Sequence, residues 1–128
     1  MLALRKVSRF GLVSVDGHLH FRHFGNSVRL GAAAGEDLAP VTGRGPERLT
    51  SIDGLGPLVR DDNVVVQGER EDYPEWRDFH ERDIKVWNLQ ELRTSGFAEA
   101  AERAVEKLRG NGVEGSGSNS TRTFWVAR

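Results

Sequence analysis

The sequence contains no cysteine and no long apolar run, and both absences narrow the range of functions. Without cysteine there is neither a disulfide nor a thiolate metal site, so any metal ion must bind to histidine and carboxylate groups. No apolar stretch approaches the length of a membrane span, and the basic segment 1–9 is not followed by a signal-peptide core. We therefore expect a cytoplasmic protein that is not a membrane protein.

The chain also has little net charge. Eighteen lysine and arginine residues against 19 aspartate and glutamate residues give a formal charge of −1 and a pI of about 6.4. This balance gives no electrostatic reason to expect binding to nucleic acid or to an anionic membrane. The 128 residues suffice for one domain with a modest core but not for a complete eight-stranded barrel.

Apolar runs of strand length alternate with helical patterns along the chain. Strands are predicted at Phe10–Val15, Asn63–Gln67 and Ile84–Leu89, and the start of a fourth at Phe124–Val126. Helices are predicted from Leu30 to Leu38, after Pro74 and after an N-cap at Ser95; the Gly/Ser-rich segment 110–121 is predicted to be a flexible loop. The alternation predicts an α/β fold with a mainly parallel sheet.

Polar groups follow the first predicted strand directly. If the backbone stays extended there, Asp16, His18 and His20 lie on one side, because strand side chains alternate between faces. A carboxylate and two imidazoles converging on one point suit a divalent transition-metal ion, and His23 is near enough to contribute. The fourth histidine, His80, is predicted to be a packing residue on a helix.

These residues carry a resemblance to a known family. The segment Asp16-Gly17-His18-Leu19-His20 resembles the D-A-H-x-D motif of the arginases, agmatinases and formimidoylglutamases, the manganese-dependent ureohydrolases. Residues 64–70 are similar to the family's strand ending in Gly-x-Arg, and the similarity extends over most of the chain. It implies a three-layer arginase-like α/β sandwich, of which residues 1–128 form a single partial domain.

The resemblance also implies an activity and a set of site residues. The complete family site holds two Mn²⁺ ions, with Zn²⁺ as the other candidate ion. A metal-bound hydroxide attacks the carbon of a small guanidino or formimidoyl substrate and breaks a C–N bond. By this resemblance Asp16 contacts the metals and His18 binds one of them. Residues at the substrate's tail and at the rim of the site are Asn26, Ser27, Arg70 and Asp72.

Three departures from the family pattern predict a truncated chain with weak or no activity of its own. His20 stands where the motif has its last aspartate, although an imidazole also binds metal. The family's earlier histidine ligand has no counterpart in residues 1–9. The family's Asp-x-Asp pair follows the strand that here corresponds to residues 124–128.

Two alternatives come from the same residues. The pair His18-x-His20 resembles the zinc-binding HxH motif of amidohydrolase-superfamily enzymes, which predicts a fragment of a barrel hydrolase. A non-enzymatic remnant is the other alternative, in which an exposed sheet edge docks on a partner or on a second copy of the chain.

Overall fold

The computed structural model describes residues 9–70, 75–113, 115–119 and 125–126. Five strands form one sheet in the order β3-β2-β1-β4-β5: β1 Phe10–Val15, β2 Val64–Glu69, β3 Lys85–Asn88, β4 Gly115–Asn119 and β5 Trp125–Val126. The pairings β1–β2, β2–β3 and β1–β4 are parallel, and β5 runs antiparallel to β4. This arrangement makes β1 the central strand, so both of its neighbours point their carboxyl ends towards the residues that follow Val15.

Five α-helices connect and cover these strands: α1 Leu38–Val41, α2 Glu47–Thr50, α3 Trp76–His80, α4 Leu89–Ser95 and α5 Phe97–Gly110. Short 3₁₀ turns lie at Ala33–Gly35, Ile52–Gly54 and Asp61–Asn63. Asn88 begins α4 with a reciprocal capping box in which it exchanges hydrogen bonds with Glu91. Gly96, at a φ of 88°, separates α4 from α5.

The sheet is covered on both faces. One apolar cluster joins β1 and β2 to the histidine-containing segment that follows β1 and to α3, and it contains Phe10, Leu12, Leu19, Phe21, Val64, Val66 and Phe79. The other joins the sheet to α4 and α5 through Val65, Trp87, Leu92, Ala100, Ala104 and Leu108. Every residue of β2 is buried, as expected for a parallel strand with both faces covered.

The α/β class with a mainly parallel sheet is confirmed, and so are the first three predicted strands to within two residues at each end. The prediction of a flexible loop at 110–121 is wrong for 115–119, because these residues form β4. Backbone hydrogen bonds to β1 stabilise this strand despite the low strand propensity of its glycine, serine and asparagine residues. The last predicted strand is β5, at the antiparallel edge of the sheet.

Two helix predictions are also wrong in position. Pro40 was expected to end a helix at Leu38, but the helix begins there, since proline is tolerated in a first turn. Ser95 is the last residue of α4 and not an N-cap. The buried face of α5 is formed by Ala100, Ala104 and Leu108, and Phe97 at its start is 65% exposed. Within the described part of the chain, no helix is long and apolar enough to cross a membrane.

Candidate metal centre

The candidate centre begins where β1 ends. The backbone N–H of Asp16 donates to the carbonyl of Gln67 at 3.0 Å, which fixes this aspartate beside β2. Leu19 and Phe21 are 2% and 0% exposed and anchor the following segment in the core. His20 lies between these two anchors, so its backbone position is determined by apolar packing on either side.

Asp16, His18 and His20 are brought together in the structure. One oxygen of Asp16, Oδ1, lies 3.1 Å from Nδ1 of His18 and 3.3 Å from Nε2 of His20, and it accepts a hydrogen bond from the backbone N–H of His18 at 2.9 Å. One ligand atom from each residue lies within 4.8 Å of the others. The convergence arises from a turn closed by Asp16 and not from the extended backbone that the alternation of side chains predicted.

The orientation of the His20 ring is set from its other side. His20 has a φ of 53°, a left-handed conformation that is uncommon for a residue other than glycine. In this conformation Nδ1 is hydrogen-bonded to the carbonyl of Ala34 and lies 3.6 Å from Oδ1 of Asp37. A carbonyl can only accept, so Nδ1 carries a proton, and Nε2 is the nitrogen that faces Asp16.

The charge of Asp16 is stabilised by its neighbours. Burial alone raises the pKa of this carboxyl group, but hydrogen bonds from the backbone and ring of His18 and from His20 more than offset it. The pKa of Asp16 is therefore lowered, and the carboxylate is ionised at neutral pH. A metal ion at this point would take the place of the protons that the two rings share with Asp16, and it would meet an ionised carboxylate.

The spacing of these atoms fits a single divalent ion. For metal–ligand bonds of about 2.1 Å, neighbouring ligand atoms lie about 3.0 Å apart in octahedral and about 3.4 Å apart in tetrahedral coordination. The two distances from Asp16 Oδ1, 3.1 and 3.3 Å, fall between these values. The hydrogen bond from His20 to the Ala34 carbonyl is also the kind of outer contact that orients metal-binding histidines.

His23 does not join this group. Its Nε2 lies 2.8 Å from Oδ2 of Asp78, and its Nδ1 accepts from the backbone N–H of Gly25 at 3.1 Å. The same carboxylate accepts from the side chains of Asn26 and Arg82, so we name these four residues, His23, Asn26, Asp78 and Arg82, the Asp78 clamp. Both nitrogens of His23 are therefore used in hydrogen bonds within the fold.

Asn26, for which the family resemblance implies a contact with substrate, is also part of the clamp. Its amide nitrogen donates to the carbonyl of Phe21 and to Asp78, both at 3.0 Å, and its oxygen accepts from the backbone N–H of His23 at 2.9 Å. These three hydrogen bonds close the turn after the candidate centre. Asn26 thus has a structural role in the chain as it stands.

The remaining predicted site residues lie in different surroundings. Ser27 Oγ accepts from the backbone N–H of Arg29 at 3.2 Å. Arg70 lies directly over the motif, since a Cβ built on Gly17 would lie 2.2 Å from its Nε atom. Asp72 lies outside the described residues.

His80 was predicted to be a packing residue, but it is exposed. Its ring stacks on that of Trp76, with 3.8 Å between the ring centroids. It takes no part in the candidate centre.

Sequence reasoning missed Ala34 and Asp37. Both lie in the segment that was predicted as a helix, where they would have been placed away from His20. A backbone carbonyl leaves no signal in a sequence, but the Gly35-Glu36-Asp37 stretch before Pro40 is typical of a turn. Reading it as a turn would have put a carboxylate within reach of the histidines.

The sheet order and the position of the cluster define an α/β domain of the arginase-like class, and comparisons with known proteins agree. The arginase of Brevibacillus brevis is 31% identical over 108 residues, which cover 84% of this chain and 36% of that protein. The crystal structure of arginase from Bacillus cereus matches 90% of this chain and 39% of its own chain, with a TM-score of 0.79 and 26% identity. No family model matches the sequence.

The chain belongs to the arginase family. A further neighbour, the Entamoeba histolytica arginase solved with L-ornithine, covers 88% of this chain at a TM-score of 0.67 and 25% identity. The chain spans between a third and two fifths of the length of these relatives. The strand order β3-β2-β1-β4 of the described residues also argues against the amidohydrolase alternative, because consecutive strands of a barrel lie side by side in chain order.

Proposed function

We propose that this chain carries part of the metal centre of a ureohydrolase that hydrolyses a C–N bond in a small guanidino or amidino compound. The observation that carries the proposal is the convergence of His18 and His20 on a single oxygen of Asp16 at the end of the central strand. In parallel sheets this end of the strands is where ligands bind.

The proposed ligands are Asp16, His18 and His20, for Mn²⁺ or Zn²⁺. When bound, such an ion polarises the substrate and lowers the pKa of a water molecule, which makes it a nucleophile at neutral pH. Asp16 contributes the negative charge that holds the ion. His20 contributes a lone pair whose direction is fixed by the Ala34 carbonyl.

The charges around the centre suit a cationic substrate head. Asp16 lies 3.3 Å from Nε2 of His20 and Asp37 lies 3.6 Å from Nδ1, so a carboxylate lies beside each nitrogen of the ring. A guanidinium or amidinium group would be attracted to these carboxylates and could donate bidentate hydrogen bonds to one of them. Among the relatives, the Entamoeba histolytica arginase binds L-ornithine, an amino acid whose chain resembles the tail of such a substrate.

Arg70 and Ser27 are proposed to contact the substrate's tail or the rim of the site, and Asp72 is proposed for the rim. The Asp78 clamp holds the turn that presents Ser27, so its role in binding is indirect. Because His18 is exposed and Asp16 is one-third exposed, the centre lies open to solvent. An open centre excludes water poorly, and we therefore expect slow turnover by this chain alone.

The test combines metal binding with hydrolysis. We expect Mn²⁺ or Zn²⁺ to raise the thermal midpoint of the purified chain, because an ion that binds only the folded state stabilises it. The loaded chain should release product from arginine, agmatine or formimidoylglutamate above the blank with metal alone. Asp16→Ala should abolish both effects, whereas Asp62→Ala, a matched change of an aspartate in a surface ion pair, should retain them.

The proposal would be refuted if neither metal changed the thermal midpoint of the chain and the chain hydrolysed none of the three compounds. If such a chain also associated with itself as its concentration rose, the non-enzymatic interaction module would become the better description.

A further inference from the structure

His20 is the residue of the candidate centre at which this chain departs from the family motif. The motif has a carboxylate there, and a carboxylate offers two hard oxygens that can be shared between ions. An imidazole offers one neutral nitrogen at the metal, since its second nitrogen carries a proton. The substitution therefore changes both the charge and the number of donor atoms at this position.

The position of the ring is determined by contacts that the chain supplies. Nδ1 of His20 is held by the Ala34 carbonyl, and the backbone adopts a φ of 53°. The buried side chains of Leu19 and Phe21 fix the residue on either side. A side chain held in a sparsely populated backbone conformation by its surroundings is typical of functional sites.

The ring nitrogens of both histidines lie near the same oxygen atom of Asp16. Nδ1 of His18 and Nε2 of His20 both approach Oδ1 of Asp16, at 3.1 and 3.3 Å, which are the spacings of neighbouring ligands around a single ion. A carboxylate that joins two ions through its two oxygens directs its partners to two separate points. Here two nitrogens lie beside the same oxygen, and the three atoms lie within 4.8 Å of one another.

We infer that Asp16, His18 and His20 form an imidazole-rich centre for one ion, in which His20 shifts the metal preference from Mn²⁺ towards Zn²⁺. Imidazole nitrogen favours zinc and neighbouring late transition metals, whereas carboxylate oxygen favours manganese. The inference rests on the proposed function for the location of the metal, and it adds the number of ions and the residue that selects between them.

The experiment measures Zn²⁺ and Mn²⁺ affinity by isothermal titration calorimetry, with each metal added alone to the metal-free chain at neutral pH. Zinc binds more tightly than manganese at most protein sites, so the measured quantity is the change in the Zn²⁺-to-Mn²⁺ affinity ratio on substitution. The variants are His20→Asp, the matched control His80→Asp on the exposed face of α3, and Asp16→Asn. A Co²⁺ titration followed by visible absorption gives the number of ions.

We expect one equivalent of metal to bind to the chain. His20→Asp should lower the Zn²⁺-to-Mn²⁺ ratio by about tenfold or more, and His80→Asp should leave it unchanged within error. His20→Asn provides a second variant, because asparagine tolerates a positive φ and keeps the turn while it removes the ring nitrogen. Its circular dichroism should match the wild-type spectrum, and its Zn²⁺ affinity should fall by a similar factor.

Two outcomes would overturn the inference: binding of two equivalents of metal, or an affinity ratio that His20→Asp and His20→Asn leave unchanged. The Asp16→Asn variant distinguishes these two outcomes from a failure of the proposed function. If Asp16→Asn retained the wild-type affinity, the metal would not lie at the proposed centre at all. Loss of binding in Asp16→Asn with an unchanged ratio in His20→Asp would overturn only the inference about His20.

Discussion

The candidate centre and the Asp78 clamp each pair aspartate with histidine, and their nearest histidines, His20 and His23, lie close together in sequence. Each has an aspartate within 3.3 Å of a histidine ring nitrogen. They differ in where the remaining polar atoms point. In the clamp, the carboxylate of Asp78 accepts from His23, Asn26 and Arg82, and the second nitrogen of His23 accepts from a backbone N–H. In the centre, two imidazole nitrogens and one carboxylate oxygen approach each other.

The difference shows that residue type and spacing do not by themselves identify a metal ligand. His23 was grouped with His18 and His20 on spacing alone, yet its ring is committed to hydrogen bonds that stabilise the fold. A histidine can bind a metal ion only if the fold also directs one of its ring nitrogens towards the other metal-binding atoms. The clamp should therefore control stability, and the centre should control metal binding.

The largest expected effect is on the clamp. Asp78→Ala removes the shared acceptor of three side chains and leaves the part-buried Nε2 of His23 without its partner, which should lower the free energy of unfolding by about 2 kcal/mol. Urea denaturation followed by circular dichroism measures this change. Asp62→Ala breaks the exposed pair with Arg60 and should change stability by less than about 0.5 kcal/mol. Equal effects of the two substitutions would show that the clamp is no more than another surface ion pair.

The second largest expected effect is a loss of folding stability in acid, caused by protonation of Asp78. Burial alone raises the pKa of Asp78, but the hydrogen bonds from Arg82, His23 and Asn26 outweigh it, so its pKa in the folded protein lies below the ordinary value of 3.8. The unfolded chain then binds the proton more readily than the folded chain, and the contribution of Asp78 to stability is complete above about pH 4 and is lost as the pH falls through the folded pKa.

Denaturation curves of the wild type and Asp78→Asn between neutral pH and pH 3 should therefore converge as the pH falls. The hydrogen bond to Asp78 raises the pKa of Arg82, so its guanidinium group stays charged over this whole range. Curves that stay parallel down to pH 3 would exclude Asp78 as the source of the acid loss.

A smaller effect is expected for Asp16→Asn in the absence of metal. The amide retains an oxygen that can accept from the backbone N–H of His18, and the site is partly exposed, so stability should change by less than about 1 kcal/mol. Comparison with Asp78→Asn at the same pH sharpens the contrast between the two regions. A loss at Asp16 as large as that at Asp78 would mean that both aspartates mainly stabilise the fold.

The smallest effect is expected for His20→Gly. The substitution relieves a left-handed backbone conformation that costs a residue with a Cβ atom about 1 kcal/mol, and it loses a hydrogen bond to Ala34 of about the same size. The matched change His80→Gly places glycine in α3 and should cost about 1 kcal/mol more, although His80 is the more exposed residue. A His20→Gly loss exceeding that of His80→Gly would show that the backbone there is unstrained.

Much of the fold could be predicted because strands β1, β2 and β3 are apolar and bounded by polar turns. The family motif also located Asp16 and His18, and the spacing added His20. Strand β4 escaped prediction since its stability comes from hydrogen bonds to β1, which local composition does not record. A sequence pattern reports which faces are apolar, and a strand without apolar side chains has no such pattern.

The candidate site was located by an argument that was partly wrong. The expected alternation along an extended strand would have placed the three side chains about two residues apart in a row. The structure brings them together instead through the turn at Asp16 and the positive φ of His20. Neither feature follows from propensity, because both depend on the burial of Leu19 and Phe21. For the same reason, the exposed position of His80 and the engagement of Asn26 by Asp78 required the tertiary structure.

Gly17 stands where the family motif has alanine, and its missing Cβ is the space that the guanidinium group of Arg70 occupies. An alanine introduced there would meet only the far end of this exposed, flexible side chain, so Arg70 can move away at little cost. The residue at position 17 therefore sets where the guanidinium group lies over the motif. An alanine there would leave the fold intact and shift a positive charge away from the end of the central strand.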